Sequence, residues 1–275
     1  MNYIDLWHAL HPLYDDGEAK AIVRLVLEER FGLTMSDIFC GKVTELSADD
    51  QAELGKIIGR LEKGEPVQYV LGYTSFCWRS FHVAPGVLIP RPETEELCRW
   101  ITAEGAGARV LDIGTGSGCI AVTLALDLPA SSVTAWDISL KALNIARDNA
   151  DALGAAVTFE VQDALLPPED DRQWDLIVSN PPYVMHSEIG GMAKNVLNHE
   201  PDIALFAPHG RPILFYEVIG NYARHHLVPG GALYFELNPL TADEVGNSLR
   251  KQGFTQIGFR DDQYGKCRFL KAVML

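Results

Sequence analysis

Cysteine is scarce in this chain, and no cysteines are spaced like a metal-binding or redox motif. The 275 residues include five cysteines, without Cys-x-x-Cys and without a cysteine and histidine cluster of zinc-ligand spacing. An odd number of scattered cysteines is not typical of a disulfide framework. We therefore expect reduced thiols, no metal site and a cytoplasmic location.

Long apolar runs are also missing, and basic residues are outnumbered. No apolar stretch approaches the ~20 residues needed to cross a bilayer, and Met1 to Asp5 do not begin a basic segment followed by an apolar one. These absences predict a protein with neither a membrane partner nor a targeting segment. The 37 acidic residues exceed the 23 basic ones, and the formal charge is −14. That charge disfavours direct contact with nucleic-acid phosphates.

The tetrapeptide Asn180-Pro181-Pro182-Tyr183 is the most informative motif that is present. It follows the strand-like run 174–179 and supplies carbonyl oxygens and an aromatic ring, but no strong base. Two successive prolines restrict the backbone and remove N–H donors, so the segment should leave the sheet as a stiff extended turn. An isolated Pro-Pro more often simply ends a strand. Here the fixed acceptors suit a planar NH2 group that is to be alkylated, with Tyr183 as a flat wall beside it.

A glycine-rich loop lies upstream of that motif. Residues 109–113 form an apolar strand pattern, which continues into Gly-Thr-Gly-Ser-Gly at 114–118 and then into a helix pattern. Glycines at this place allow a close approach of the backbone to a ligand, and the helix N-terminus offers free N–H groups. Alone the loop is a weak signal, because Gly116-x-Gly118-x-x-Ala121 also fits a dinucleotide-binding pattern.

Acidic residues occur near the ends of three predicted strands. Asp112 lies in the first strand, Asp137 ends the second, and Asp163 follows the third. Asp137 comes about 20 positions after Gly118, the usual spacing for a carboxylate that binds ribose hydroxyls. An isolated aspartate at a strand end is more often a cap or a turn former. Three in order, followed by Asn180, predict a nucleoside pocket at the carboxyl edge of a sheet.

Residues 1–71 are predicted to form a small helical domain. Apolar residues recur at helical spacing over Asp16–Phe31, with Asp15 or Asp16 as the cap. The same spacing recurs after Ser47, which together with Asp50 resembles a capping box. These apolar stripes are most simply the core of packed helices.

The remaining residues are predicted to form a hairpin linker over 72–90 and a catalytic domain over 91–275. Aromatic and β-branched residues punctuated by glycine and proline indicate the hairpin. Alternating strand and helix patterns then predict a mainly parallel sheet with helices on both faces. The last two strands are joined by a turn too short for a crossover, so they should pair antiparallel. The predicted strands are 109–113, 132–137, 156–161, 174–179, 232–238, 254–260 and 266–272, and the predicted helices are 93–100, 117–127, 139–152, 211–227 and 241–251.

Four segments together resemble the release factor glutamine methyltransferases, a family of class I methyltransferases that use S-adenosylmethionine. They are Gly72–Phe76, Leu88–Glu95, Asn180–Tyr183 and Glu200–Leu205. The segment Leu88–Glu95 is the specific one, because base-modifying enzymes that share the Asn-Pro-Pro-Tyr turn lack it. A close relative that modifies a glutamine of a large-subunit ribosomal protein usually reads Pro-Arg-Ser-Pro there.

The resemblance implies a fold, an activity and a partner. The fold is α/β, a class I methyltransferase doubly wound mainly parallel sheet with one antiparallel strand, plus a small N-terminal helical domain. The activity is methyl transfer from S-adenosyl-L-methionine to the side-chain amide nitrogen of the glutamine in the Gly-Gly-Gln motif of class I peptide chain release factors. The helical domain would dock that protein substrate.

The resemblance also assigns roles to residues of this sequence. The implied cofactor-binding residues are Asp112, Gly114, Thr115, Gly116, Ser117, Gly118, Asp137, Asp163, Ala164 and Asn180. The implied catalytic and substrate-binding residues are Asn180, Pro181, Pro182 and Tyr183. Many family members have an aromatic residue where this chain has Ala164, which makes Leu165 or Leu166 the candidate substitute against adenine.

Other functions stay open at the level of sequence. A ribosomal-protein glutamine methyltransferase would use the same turn, and an adenine-N6 DNA or RNA methyltransferase would place a flipped base there. The acidic charge disfavours the nucleic-acid enzyme. A nicotinamide oxidoreductase would leave residues 180–183 unexplained, and a catalytically silent binding module would retain the fold alone.

Overall fold

A computed structural model describes residues 1–105 and 107–275, which fold into two compact units. The first unit comprises Met1–Tyr73 and Met192–His199, and the second comprises Thr74–Gly191 and Glu200–Leu275. Within the described ranges, no helix combines the length and the apolar character needed to span a membrane.

The described residues form helices and strands in the following order. The helices are α1 (Tyr3–Ala9), α2 (Asp16–Phe31), α3 (Met35–Phe39), α4 (Ala48–Leu61), α5 (Val67–Leu71), α6 (Pro92–Glu104), α7 (Cys119–Asp127), α8 (Leu140–Leu153), α9 (Lys194–His199), α10 (Asp202–Leu205), α11 (Leu214–His226) and α12 (Ala242–Lys251). The strands are β1 (Tyr73–Phe76), β2 (Arg79–His82), β3 (Arg109–Ile113), β4 (Ser132–Asp137), β5 (Val157–Val161), β6 (Trp174–Ser179), β7 (Leu227–Glu236), β8 (Thr255–Asp261) and β9 (Cys267–Val273). Short 3-10 turns occur at Lys42–Glu45, His186–Gly191 and Pro239–Thr241.

The first unit is helical, and its two longest helices begin at residues that the sequence analysis predicted to be caps. The Asp15 side chain accepts a hydrogen bond from the Glu18 N–H at 2.9 Å, and Ser47 Oγ accepts one from the Asp50 N–H at 3.1 Å. The apolar stripes of α2 and α4 face a common core. Its fully buried members include Leu10, Val23, Val26, Leu27, Leu54 and Leu61. The predicted helices are therefore present.

The second unit contains a seven-stranded sheet in its described residues, in the order β5-β4-β3-β6-β7-β9-β8. The pairs β5 with β4, β4 with β3, β3 with β6 and β6 with β7 are parallel. Strand β9 pairs antiparallel with both β7 and β8. The predicted arrangement of a mainly parallel sheet with one reversed strand is confirmed.

Both faces of this sheet are covered by helices. Successive residues of a strand point to opposite faces, so Val110 packs with residues of α6 and α7, whereas Leu111 packs with residues of α11 and α12. Because both faces are buried at the centre of the sheet, β6 has the continuous apolar run Leu176–Val178, whereas the edge strand β5 alternates apolar and polar residues. Since helices cover both faces, a ligand-binding site is expected at the ends of the strands, where polar residues begin.

Several predicted boundaries were wrong: α6 ends at Glu104 and not at 100, and α11 begins at Leu214 and not at 211. For two further boundaries the reason is identifiable. Helix α7 begins at Cys119 and not at residue 117, because Gly118 has the left-handed φ of 82° that a helix does not use. Strand β7 begins at Leu227 and not at 232, because its pairing with β6 continues past an irregularity between Trp174 and Leu176. Strand β7 thus includes the Pro-Gly-Gly run at 229–231.

Strands β1 and β2 form the predicted hairpin as a separate two-stranded sheet. The turn consists of Cys77 and Trp78, which both have positive φ, of 46° and 63°. Phe76 and Phe81 are fully buried in the core of the second unit. The linker role of residues 72–90 stays a prediction.

Candidate active site

A cavity of about 350 Å³ lies at the carboxyl ends of adjacent parallel strands of the second unit. Ligands of open α/β sheets bind at this edge, because the loops there diverge and leave space. Eight of the predicted site residues line the cavity: Gly114, Gly116, Asp137, Asp163, Ala164, Asn180, Pro181 and Pro182. The structure therefore brings most of the predicted site together.

The glycine loop between β3 and α7 is held open by backbone hydrogen bonds. The N–H groups of Gly114 and Thr115 both donate to the Trp136 carbonyl at 2.9 Å, which ties the loop to the end of β4. Gly118 packs directly against α8, where an added Cβ would lie 3.0 Å from Ala146 Cβ. A side chain at this position would collide with Ala146 and would also be strained by the positive φ.

Four of the predicted residues stand behind the cavity and do not line it. Asp112, Thr115, Ser117 and Gly118 are buried, and Thr115 Oγ1 donates to Asp112 Oδ2 at 2.6 Å. Complete burial raises the pKa of Asp112 to about 7. This aspartate therefore supports the loop from behind, whereas Asp137 lines the cavity.

Asp137 holds the loop from the side of β4. Its Oδ2 accepts from the Gly116 N–H at 2.9 Å, and its Oδ1 accepts from the Ser139 N–H at 2.8 Å. Burial raises the pKa of Asp137, and these backbone hydrogen bonds oppose the shift. A carboxylate has about four acceptor positions, so Asp137 keeps acceptor capacity at the cavity wall. Such a group suits a pair of vicinal hydroxyls.

The far end of the cavity is largely apolar. The Leu165 N–H donates to Asp163 Oδ1 at 2.8 Å, which places Leu165 on the wall next to Ala164. Leu166 is 73% exposed and lies outside the cavity, so of the two candidate substitutes only Leu165 is in place. The sequence analysis missed the apolar wall residues Ile138, Phe215 and Ile219. Of these three, only Ile138 could have been predicted from the sequence, because it directly follows Asp137 at the end of β4.

Asn180 is connected to a buried carboxylate. Its Nδ2 donates to Thr94 Oγ1 at 3.3 Å, and Thr94 Oγ1 donates to Glu236 Oε2 at 2.7 Å. The Tyr183 hydroxyl donates to the other oxygen of Glu236 at 3.0 Å, and burial raises the pKa of Tyr183. Tyr183 does not line the cavity, so its role as a wall for the substrate stays a prediction. Glu236 was missed, although it is a further acid at a strand end.

Two of the three other motifs of the resemblance, Leu88–Glu95 and Glu200–Leu205, meet at the same cavity. Arg91 Nη2 donates to Glu200 Oε1 at 2.5 Å, and the Ile89 N–H donates to Glu200 Oε2 at 3.1 Å. Glu200 is 4% exposed. The neighbouring residues Leu88 and Pro201 line the cavity. The ion pair thus fixes two walls of the site to each other, and Arg91 is not a free surface charge.

Comparisons with known proteins identify this combination of parts. Residues 7–72 match the family model of the PrmC N-terminal domain, and residues 91–204 match that of the methyltransferase small domain. The release factor glutamine methyltransferase of Bacteroides thetaiotaomicron is 46% identical over 266 residues, which cover 96% of this chain and 96% of that protein. The chain belongs to the release factor glutamine methyltransferase family.

A further member of the family agrees with this assignment, and a solved structure has the same fold. The release factor glutamine methyltransferase of Flavobacterium psychrophilum is 38% identical over 269 residues, 96% of this chain and 94% of that protein. A methyltransferase from Pyrococcus furiosus has the same fold, with a TM-score of 0.53 and 17% identity over 82% of this chain and 98% of that one. The predicted class I methyltransferase fold and the predicted enzyme class are confirmed.

Proposed function

We propose that this enzyme transfers a methyl group from S-adenosyl-L-methionine to the side-chain amide nitrogen of the glutamine in the Gly-Gly-Gln motif of class I peptide chain release factors. The observation that supports this most is Asn180 at the cavity wall, with Nδ2 held by Thr94 and two rigid prolines after it. Oxygen acceptors without a strong base suit an amide, whose NH2 carries two donors. The names of the relatives supply the substrate class.

The residues that line the cavity support S-adenosyl-L-methionine as the cofactor. Gly114 and Gly116 offer a wall without side chains, Asp137 keeps acceptor positions for ribose hydroxyls, and Leu165 gives an apolar wall for adenine. When bound, the cofactor supplies a methyl group on a positively charged sulfur. The proposed cofactor-binding residues are Asp112, Gly114, Thr115, Gly116, Ser117, Gly118, Asp137, Asp163, Ala164 and Asn180.

The chemical problem is that an amide nitrogen is a weak nucleophile, since its lone pair is delocalised into the carbonyl. Asn180 Oδ1 and the Pro181 carbonyl would each accept one N–H of the substrate and so direct the nitrogen. Positioning of this kind contributes up to about 7 to 11 kcal/mol in model systems. Fixed acceptors also stabilise the positive charge that grows on the nitrogen. After alkylation, the nitrogen proton is acidic enough to pass to water.

The remaining predictions on organisation are part of this proposal. Residues 1–71 dock the release factor, residues 72–90 link the two domains, and residues 91–275 catalyse the reaction. The enzyme acts in the cytoplasm. The charge of −14 supports a protein substrate over a nucleic acid. A photo-crosslinking residue in place of Phe39, which is 73% exposed, should trap the release factor. Crosslinks confined to residues 91–275 in a scan of exposed positions would contradict the docking role.

A direct assay tests the activity. The full chain is incubated with labelled cofactor and one of four acceptors: a release factor, the same factor with its Gly-Gly-Gln glutamine replaced by alanine, a large-subunit ribosomal protein, or an oligonucleotide. Label should enter the first acceptor only, and peptide mass spectrometry should find one added methylene on that glutamine. Label in the oligonucleotide, or equal label in the alanine variant, would overturn the proposal.

A further inference from the structure

Thr94 and Glu236 lie directly behind Asn180. Thr94 is in the first turn of α6 and is 2% exposed, and Glu236 ends β7 and is 1% exposed. Neither residue lines the cavity. They are joined to Asn180 through the hydrogen bonds from Asn180 Nδ2 to Thr94 Oγ1 and from Thr94 Oγ1 to Glu236 Oε2. A buried carboxylate is therefore connected to the side chain that would receive the substrate.

The carboxylate fixes the direction of these hydrogen bonds. An ionised carboxylate only accepts, and both oxygens of Glu236 accept from hydroxyls, one from Thr94 and one from Tyr183. Thr94 has a single hydroxyl hydrogen, which is used on Glu236. The oxygen of Thr94 therefore faces Asn180 with lone pairs alone. It can accept a hydrogen bond from Asn180 but cannot donate one.

This direction determines which end of the Asn180 amide meets Thr94. Only Nδ2 carries hydrogens, so only Nδ2 can face Thr94 Oγ1. After half a turn of the amide, Oδ1 would oppose Thr94 Oγ1 with no hydrogen between the two oxygens, an unfavourable buried contact. The observed orientation turns Oδ1 away from Thr94. An incoming substrate NH2 needs that oxygen and would be repelled by a second NH2.

We propose that Glu236 and Thr94 are positioning residues that set the hydrogen-bond direction at Asn180, so that Asn180 presents its oxygen and not its NH2 to the substrate amide. This role rests on the proposed function and names the residues that orient the Asn180 amide toward a substrate NH2 group. Neither residue touches the substrate. Burial raises the pKa of Glu236, whereas the hydrogen bonds from Thr94 and Tyr183 and the charge of Arg268 on β9 favour its carboxylate form, and Glu93 on α6 opposes it.

Variants of Thr94 separate the effect of the hydrogen-bond direction from the effect of side-chain packing. Thr94→Val keeps the shape but removes the hydroxyl, so kcat for glutamine methylation should fall on the order of tenfold to hundredfold, with unchanged affinity for S-adenosyl-L-methionine. Thr94→Ser keeps the hydroxyl and should retain most of the kcat. The matched control is Thr123→Val, since Thr123 is fully buried and its hydroxyl has no hydrogen-bond partner among the described residues. Wild-type kcat in Thr94→Val, or equal losses in Thr94→Ser and Thr94→Val, would overturn the role.

Glu236→Gln tests the source of the direction. Its NH2 must face one of the two hydroxyls, and when it faces Thr94 it turns the Thr94 hydrogen toward Asn180. The Asn180 amide then rotates to present NH2 to the cavity. We expect a loss of kcat on the order of tenfold or more, again with unchanged cofactor affinity. Wild-type kcat together with a displaced Asn180 NH2 signal in an ¹⁵N NMR spectrum would contradict the role, and if this variant does not fold, the Thr94 pair still decides.

A readout without substrate separates this role from the proposed function. The Asn180 side-chain NH2 signal in an ¹⁵N NMR spectrum, identified by its loss in Asn180→Ala, should shift in Thr94→Val and stay in place in Thr94→Ser. If the wild-type enzyme methylates no release factor but the Asn180 NH2 signal responds to the Thr94 variants as expected, the proposed function is refuted and the positioning role stands. Normal methylation with an unresponsive NH2 signal would refute the positioning role alone.

Discussion

Gly116 and Asp137 are joined by a 2.9 Å hydrogen bond from the glycine N–H to the carboxylate, so the loop after β3 and the end of β4 form one rigid wall. Asp137→Ala should weaken binding of S-adenosyl-L-methionine on the order of tenfold to hundredfold, because the ribose loses a charged acceptor and the loop loses its support. Calorimetry measures this affinity. Asp171→Ala, at an exposed position of an acidic loop, is the control and should bind normally. Unchanged affinity in Asp137→Ala would reject the ribose role.

Asn180→Ala should lower the methylation rate far more than cofactor affinity. Deleting one preorganised acceptor removes stabilisation of the charge that grows on the substrate nitrogen, an effect on the order of 100-fold or more. A single-turnover assay with saturating cofactor measures the chemical step. Asn221→Ala removes an exposed amide on α11 and should leave the rate unchanged. A near-normal rate in Asn180→Ala would remove Asn180 from the mechanism.

Gly118→Ala should lower the free energy of unfolding by about 1 to 3 kcal/mol. The alanine would have to adopt a φ of 82°, and its Cβ would lie 3.0 Å from Ala146 Cβ. The comparison variant is Gly59→Ala, in the interior of α4 with no atom within 4 Å of an added Cβ. That change should raise stability by about 0.5 to 1 kcal/mol. Urea unfolding measures both, and effects of the same sign would contradict the argument.

Asp112 should make the enzyme less stable as pH rises from about 4 to about 7. Burial raises its pKa to about 7 in the folded state, so over this range the folded chain binds a proton that the unfolded chain has released. The unfolding free energy then falls by up to about 1.4 kcal/mol per pH unit from this group. Asp112→Asn should flatten that slope. Urea unfolding across the range measures it, with Asp171→Asn as the exposed control, and an unchanged slope in Asp112→Asn would refute the assignment.

The strands and the edge of the sheet that holds the site were predictable because their signals are local. An apolar run followed by a polar residue, as at Ser179 and Asn180, reports both a buried strand and its end. Parallel strands share a carboxyl edge, so the strand-end residues Asp137 and Asp163 could be placed at one cavity before the structure was known. Short helices such as α3 and α5 were missed, since five residues are too few to show a helical period.

The parts of the site that escaped prediction depend on distant contacts. Thr94 and Glu236 are 142 positions apart, and no local pattern indicates that their side chains meet. Tyr183 was predicted to be a wall, but its hydroxyl is directed to Glu236. A single sequence does not show in which direction the side chain of a turn residue points or with which buried residue it forms a hydrogen bond. Phe215 on α11 also lines the cavity, and it escaped prediction because no local pattern shows that it lies there.

The ion pair of Arg91 and Glu200 spans 109 positions of sequence, and the bond from Thr94 to Glu236 spans more. During synthesis on the ribosome, β3 to β6 can pair before either acidic partner has been made. The hydrogen bonds behind Asn180 can therefore all form only after residue 236 has been made. A chain that ends before residue 236 would contain Asn180 but would lack the carboxylate to which Thr94 donates.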